Sequence, residues 1–380
     1  MYNAKAASSS QQAKKTLFKN FIAREYNLGF GPPVTDACST CISLQERVKC
    51  ETDMTKKNEL LIKMSVHKLR VKAFCSILKE EPPGVIQFSF DRQKNLVNPK
   101  VLDQIAYYSR QLYTYNFTIV QGSSKSHLIE DRVALFTWME HEYKKGSNEI
   151  SFALCHCLTE SDLAHCSTIR LCADGCRGQN RNSAMITMVC YFLSKVAPGN
   201  VKRIEVIFPV RGHSFLPPDR VFGNIKKVLR KIPVICDPTQ YQNVFQKFGN
   251  VVQLGEQCDV KNWKEYARQV LKLPASWHFK FVSVKRFIIE KTSSGIVIAT
   301  GEPYYNVNIG QGTSLLKRGN WFAYCTPELV PRGVVLNPAK VTYIKTLLAS
   351  HFGDKWAEDE RCLFFKNLFN HIEDSTQCEA

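Results

Sequence analysis

The stretch Leu171 to Leu193, LCADGCRGQNRNSAMITMVCYFL, constrains the fold more than any other part of this 380-residue chain. It begins at the end of an apolar, strand-like run, Thr168 to Ala173, and sets a carboxylate, Asp174, where that strand stops. Gly175 and Gly178 then turn the chain into an apolar-periodic helix, Ser183 to Ser194. Strand, carboxylate, glycine turn and helix form the repeating unit of an open α/β sheet, and such sheets keep their chemistry at the carboxyl ends of their strands. A simpler role is also open to Asp174, that of capping the helix that follows.

The neighbouring segments extend the same unit. Glu80-Glu81-Pro82-Pro83-Gly84 stops a helix and marks a boundary. Beyond it, Val85 to Phe90 reads as a buried strand that ends in Asp91. Tyr107 to Val120 reads as a strand whose start could be helical, and Val133 to Met139 as a third strand. A helix over Asn148 to Glu160 follows, with Ser147 as its expected N-cap. After the Asp174 unit comes a strand over Arg203 to Val210, the loop RGHSFLPPDR, and a helix over Asp219 to Lys231. The order β-β-β-α-β-α-β-α predicts an α/β fold with a mixed sheet. Residues 1–15 read as a disordered lead-in, 16–84 as a helical region, 85–235 as the core and 236–380 as a C-terminal α+β extension.

The helical region holds a second chemical signal. Thr16 to Tyr26, Ile42 to Glu51 and Asn58 to Lys79 are its helices, and Cys38-x-x-Cys41 stands before the second. A C-x-x-C knuckle presents two thiolates to one tetrahedral ion, and a closed zinc site needs two further ligands. Cys50, His67 and Cys75 are the candidates; otherwise Cys38 and Cys41 are two ordinary reduced thiols. The chain has 15 cysteines, but its first fifteen residues are polar and basic rather than a secretory signal, which favours reduced thiols over a disulfide framework. No run of about 18 apolar residues exists to span a membrane.

Asp91 and Asp174 end strands that a mixed sheet can place side by side, while Glu149 and Asp219 open helices. Such carboxylates repel unless cations sit among them. Hard Mg²⁺ or Mn²⁺ ions suit oxygen ligands, and two of them can clamp both oxygens of a phosphoryl displacement. His213 on the loop before Asp219 is a candidate proton shuttle. Simpler roles stand beside these: Glu149 favouring a helix dipole, Asp219 as an N-cap, His213 as a solvated loop residue.

Lys and Arg number 51 against 34 Asp and Glu, an excess of 17 that favours a polyanionic partner, nucleic acid being the commonest. Asn224 to Arg230, NIKKVLR, adds a basic strip beside the presumed site. In the C-terminal third, helices are expected over Asn262 to Leu273, Lys340 to Phe352 and Glu360 to His371, and strands over Trp277 to Glu290 and Ile296 to Thr300. There Lys280, Lys285, Arg286, Lys317 and Arg318 interleave with Trp277, Phe281, Trp321 and Phe322. That pattern either follows a nucleic-acid backbone with stacking help or forms a small sheet with one wet face.

The element order resembles the ribonuclease H-like fold, shared by ribonucleases H, integrases and DDE transposases. More closely, the chain resembles a family of poorly characterised, transposase-derived proteins found in arthropods and other animals. The matching pieces are DACSTC (36–41), HKLRVKAF (67–74), FSFDRQKNLVNPK (88–100), YYSRQLYTYNF (107–117), GSNEI (146–150), DGCRGQNRN (174–182) and GHSFLPPDRVFGNIKK (212–227). Together they span roughly residues 16 to 235. The resemblance implies that Asp91, Asp174, Asp219 and Glu149 hold two Mg²⁺ or Mn²⁺ ions, with His213 as the motif's histidine. It places Gln179, Asn180, Asn182, Arg181 and Arg220 where they meet nucleic acid or brace the metal site. Val221 and Lys226 stand where the family pattern tends to carry acids, so an intact site rests on Asp219. The implied activity is metal-dependent DNA cleavage or strand transfer in the nucleus. Two alternatives stay open: a domesticated, catalytically inactive DNA-binding protein, and a nuclease acting on RNA or RNA–DNA hybrid. A homo-oligomer is compatible with all three.

Overall fold

The structure, a computed structural model, describes residues 15–25, 37–322 and 326–378. The expected lead-in falls almost wholly outside them. The fold is mixed α/β, built on a nine-stranded mixed sheet. Its strands are β1 (Val85–Arg92), β2 (Leu96–Asn98), β3 (Leu112–Gln121), β4 (Val133–Met139), β5 (Thr168–Ala173), β6 (Arg203–Ile207), β7 (Asn250–Gln253), β8 (Arg286–Lys291) and β9 (Val297–Glu302). They lie in the order β7-β4-β3-β1-β5-β6-β8-β9, with β2 paired to β3 off this path. β5 runs parallel to β1 and to β6, β7 runs parallel to β4, and the other pairs are antiparallel.

β1 is central and buried on both faces, and its alternation divides the chemistry. Phe88 and Phe90 enter one core with Leu171 and Ala173 of β5. The pleat therefore turns Gln87, Ser89 and Asp91 to the opposite face. Residues of the helices Ser147–Glu160 and Ser183–Tyr191 fill the first face, together with Trp263 and Tyr266 from the helix Trp263–Val270. On the opposite face, Phe74, Ile77 and Leu78 pack against Cys172 and Ile207. They belong to the long helix Met54–Lys79, whose N-cap Asp53 accepts from the amides of Thr55 and Lys56. Its buried residues are Leu60, Phe74, Ile77 and Leu78, so the C-terminal turns carry most of the packing. The helix Pro217–Leu229 packs Val221, Ile225 and Leu229 over Val120, Val133 and Leu135 of β3 and β4.

Several elements depart from the sequence expectation. Asp91 lies within β1 rather than just after it, because Arg92 still pairs with Phe117. The segment from Tyr107 splits into a short helix, Gln104–Tyr108, and β3. Gly146, not Ser147, precedes the first turn of the helix Ser147–Glu160 as its N-cap. The helix from Ser183 loosens into a π turn at Phe192–Val196. Trp277 to Lys285 is not a strand: 3₁₀ turns at Pro274–Ser276 and Phe281–Ser283 fold Trp277 and Phe281 inward, and the strand starts at Arg286. Trp277 is buried with its indole N–H donating to the Lys272 carbonyl, which removes it from any stacking surface. The sheet does not end at residue 235, since β7 joins one flank and β8 and β9 the other.

Across β5, β6 and β8 the Met54–Lys79 face carries charge inside the fold. Arg170, Glu205, Arg286 and Glu302 are each under 9% exposed. Glu205 accepts from Arg286 Nη2 at 2.6 Å and Arg170 Nε at 3.3 Å, and lies 3.0 Å from Arg203 Nη2. Burial alone would raise its carboxyl, but the Arg286 hydrogen bond and the charges of Arg286, Arg170 and Arg203 hold it below the ordinary carboxylate range.

Candidate functional site

The parallel register pairs Phe90 with Ala173, so the next residues, Asp91 and Asp174, end up side by side on one face of adjacent strands. The helix Pro217–Leu229 brings Asp219 to them on its first turn. Pro217 and Pro218 fit that turn because its amides have no helical partner, and Asp219 Oδ2 accepts from the Leu216 amide at 2.8 Å. All three residues are half-buried. Asp91 is pushed up to about 7, first by burial, then by the charge of Asp174 and, less, of Asp219. The amide and the charge of Arg92 oppose that rise.

The glycine turn braces this cluster. Asp174 Oδ1 accepts from the Cys176 amide at 3.2 Å and from the side-chain amide of Asn180, which is 1% exposed. With its amide oxygen toward Arg92, Gln179 accepts from Arg92 Nε at 2.9 Å and Nη2 at 3.1 Å. Asn182 caps the next helix, accepting from the Met185 amide and donating to the carbonyls of Arg177 and Gln179. Arg181 Nη2 donates to the carbonyls of Phe281, Val282 and Val284, which ties it to the 3₁₀ turn. Arg220 Nη1 likewise donates to the Ser126 carbonyl. Of the five side chains expected at a nucleic-acid surface, each has an internal task.

Glu149 does not join the three aspartates. It is 3% exposed, its Oε2 accepts from the Gly146 amide at 2.9 Å, and the charges acting on it most are Lys264 and Lys144. Burial raises its carboxyl, while its place in the first helical turn favours the charged form. Val221 and Lys226 offer no alternative ligand: Val221 sits in an apolar cluster and Lys226 is exposed further along the helix. The basic strip Lys226, Lys227 and Arg230 is exposed as expected.

A second group assembles around the Cys38-x-x-Cys41 pair. Ligand atoms of Cys38, Cys41, His67 and His213 all lie within 4.8 Å of one another. His213 therefore turns away from a proton-shuttling task and into this cluster. Cys50 and Cys75, the other candidates, are not in it. Burial would raise the Cys38 thiol, but the N–H groups of Cys41 and Thr40, at the start of the helix Ser39–Cys50, pull it below the ordinary range. Two thiols and two imidazoles are a donor set that could hold a metal ion such as zinc. Among the described residues no other group of His, Cys, Asp and Glu is this tight. Asp91, Asp174 and Asp219 do not form a group of that kind.

Residues 118–293 match the model of DUF7869, a domain of unknown function. That span contains Asp174, His213 and Asp219 but neither Asp91 nor the two cysteines. No curated protein matches the chain.

Gly212 shows how tightly the loop before Asp219 is seated. Its φ is +80°, and a Cβ there would lie 2.8 Å from Cys38 Cα. Gly212→Ala is expected to lower stability by roughly 1–3 kcal/mol, from the left-handed backbone and the clash together. Urea unfolding measures this, and an unchanged midpoint would show that the loop is free to move off Cys38.

Proposed function

We propose that this chain is a metal-dependent nucleic-acid-processing protein of the ribonuclease H-like, DDE transposase type. The observation that carries the proposal is the convergence of Asp91 on β1 and Asp174, just past the end of the parallel neighbour β5, with Asp219 at a helix start. The run β4-β3-β1-β5-β6 supports the fold reading: the first acid lies on the central strand and the second just past the end of its parallel neighbour. The excess of 17 positive charges and the exposed strip Lys226, Lys227 and Arg230 support a polyanionic substrate, here DNA in the nucleus.

Three half-buried carboxylates that repel each other fit hard divalent cations. Mg²⁺ or Mn²⁺, when bound, would supply charge neutralisation and activation of an attacking oxygen. The chain's own residues prepare that site. Asn180 and the Cys176 amide orient Asp174, the Arg92 amide fixes Asp91 Oδ1 at 2.7 Å, and the Leu216 amide fixes Asp219. Gln179 and Arg92 lock the turn to β1.

Calorimetric titration with Mn²⁺ tests the reading. Binding is expected in the wild type and none in a folded Asp91→Ala, Asp174→Ala double variant. Absence of binding in both, with and without DNA, would sink the catalytic proposal and leave a DNA-binding descendant without cleavage. Where Mn²⁺ binds, competition between duplex DNA and RNA–DNA hybrid in a nicking assay separates a transposase-like activity from a ribonuclease.

A further inference from the structure

We infer that Cys38, Cys41, His67 and His213 form one structural zinc site whose ion pins the loop leading into Asp219, so that the N-terminal helices are part of the acid site's scaffold. The inference about Asp219 rests on the function proposed above; the zinc site itself does not.

Three of the six ligand-atom separations match the edges of a zinc tetrahedron. With Zn–S near 2.3 Å and Zn–N near 2.0–2.1 Å, tetrahedral angles put N···N at about 3.4 Å and S···N at about 3.5 Å. Here His67 Nε2 and His213 Nε2 are 3.2 Å apart. Cys38 Sγ is 3.5 Å from His67 Nε2, and Cys41 Sγ is 3.4 Å from His213 Nε2. Both imidazoles aim the same type of nitrogen at the common point. Hydrogen bonds can account for single pairs at these separations; it is the gathering of four ligand atoms within 4.8 Å of one another that points to a shared ion. On binding, both thiols give up their protons to solvent and the imidazoles stay neutral, so the site carries no net charge.

The four ligands come from three places in the chain. The cysteines begin the helix Ser39–Cys50, His67 lies on the helix Met54–Lys79, and His213 lies between β6 and the helix Pro217–Leu229. His67 and His213 are 146 residues apart, so an ion at this point closes a long loop. The contacts around it continue toward the acids. Cys38 Sγ lies 3.4 Å from the Arg211 carbonyl oxygen, Gly212 lies against Cys38, and the His213 amide donates to the Val210 carbonyl. Leu216, 1% exposed, packs with Phe74 and Ile77 of the long helix, and its amide is the donor that fixes Asp219. From ligand His213 to acid Asp219 is six residues with both ends held. His213 is thus a positioning residue for Asp219.

The test uses the full chain, expressed with zinc. One zinc per chain is expected by elemental analysis, and exchange for Co²⁺ is expected to give the visible absorption of a tetrahedral S₂N₂ site. His213→Ala is expected to weaken metal affinity at least about 100-fold, while His213→Cys, which restores a fourth ligand, retains it and shifts the Co²⁺ spectrum. Cys50→Ser and Cys75→Ser should change neither readout. Hydrogen exchange then reads the positioning: removing zinc, or His213→Ala, should speed exchange of the amides of residues 213–219 at least tenfold and leave β1 and β5 unchanged. Full zinc content in His213→Ala would overturn the site. Zinc loss with wild-type exchange over residues 213–219 would overturn the positioning role. The Asp91→Ala, Asp174→Ala variant must keep one zinc. Loss of Mn²⁺ binding alone in that variant leaves this inference standing, and failure of Mn²⁺ binding in the zinc-loaded wild type counts only against the acid site.

Discussion

Glu205→Gln is expected to cost this protein about 3–5 kcal/mol, the typical loss when one partner of a buried ion pair is removed. The substitution keeps the shape of the side chain and removes its charge. Arg170 and Arg286, each 8% exposed, would then face an amide that cannot balance them. Glu302 offers Arg286 only a longer contact, 3.5 Å, and Arg170 keeps Glu80 at 3.5 Å near the surface. The network also joins three strands, since Arg170 is on β5, Glu205 on β6 and Arg286 on β8. Urea unfolding at pH 7 measures the loss, and a change under about 1 kcal/mol would show that water already screens these charges. The pH dependence has a definite sign. Glu205 is held below its ordinary value, so its contribution is present above the unfolded carboxyl pKa of about 4.3 and is lost as the pH falls through the folded value. The Glu205→Gln variant should therefore lose less stability than the wild type on acidification below about pH 4.5.

The core strands were legible because their patterns are local. Val133 to Met139 and Thr168 to Ala173 have the expected limits, and Asp91 and Asp174 share a face as an α/β sheet requires. Asp219 was legible from two prolines and an acid at a helix start. What failed depends on distant partners. Trp277 to Lys285 alternates like a strand, but Arg181 collects the carbonyls of that segment and its aromatics turn into the core. Arg286 resembles a phosphate-binding residue until Glu205 is placed beside it. Glu149 resembles an active-site acid until the Gly146 amide is seen to occupy it. His213 was singled out by its motif, yet its role depends on Cys41 and His67, 172 and 146 residues away, and no spacing rule covers such distances. The short strand β7 and its partner β4 are likewise joined only through the tertiary fold.

Asp91→Asn is expected to stabilise the protein at pH 8, in buffer without Mg²⁺ or Mn²⁺, by about 2–4 kcal/mol, and to abolish binding of those ions at the acids. In the fold this carboxyl is pushed from 3.8 up to about 7, by burial first and then by Asp174 and Asp219. An acid with a raised pKa holds its proton in the folded chain and loses it in the unfolded one between about pH 4 and 7, so its effect on stability worsens as pH rises through that window. Above the window the whole cost is present. Asparagine has no proton to lose, and its side-chain oxygen can still accept from the Arg92 amide that Asp91 Oδ1 meets at 2.7 Å. His141 and His278 act the other way in part of the same window, because burial lowers each and the fold gains stability as pH rises from the folded toward the unfolded histidine value. Those terms are common to both proteins and cancel in the difference between variant and wild type. Urea midpoints at several pH values should therefore show the advantage of Asp91→Asn growing from near zero at pH 4 to its full size at pH 8. A flat difference, or a variant less stable at pH 8, would mean that neither burial nor the neighbouring aspartates raise the Asp91 carboxyl. Adding Mn²⁺ should raise the wild-type midpoint and leave the variant unmoved, because an ion that binds only the folded acids stabilises by mass action. That pair of outcomes would support the proposed cation site, in which Asp91 would trade stability of the ion-free fold for binding of the ion.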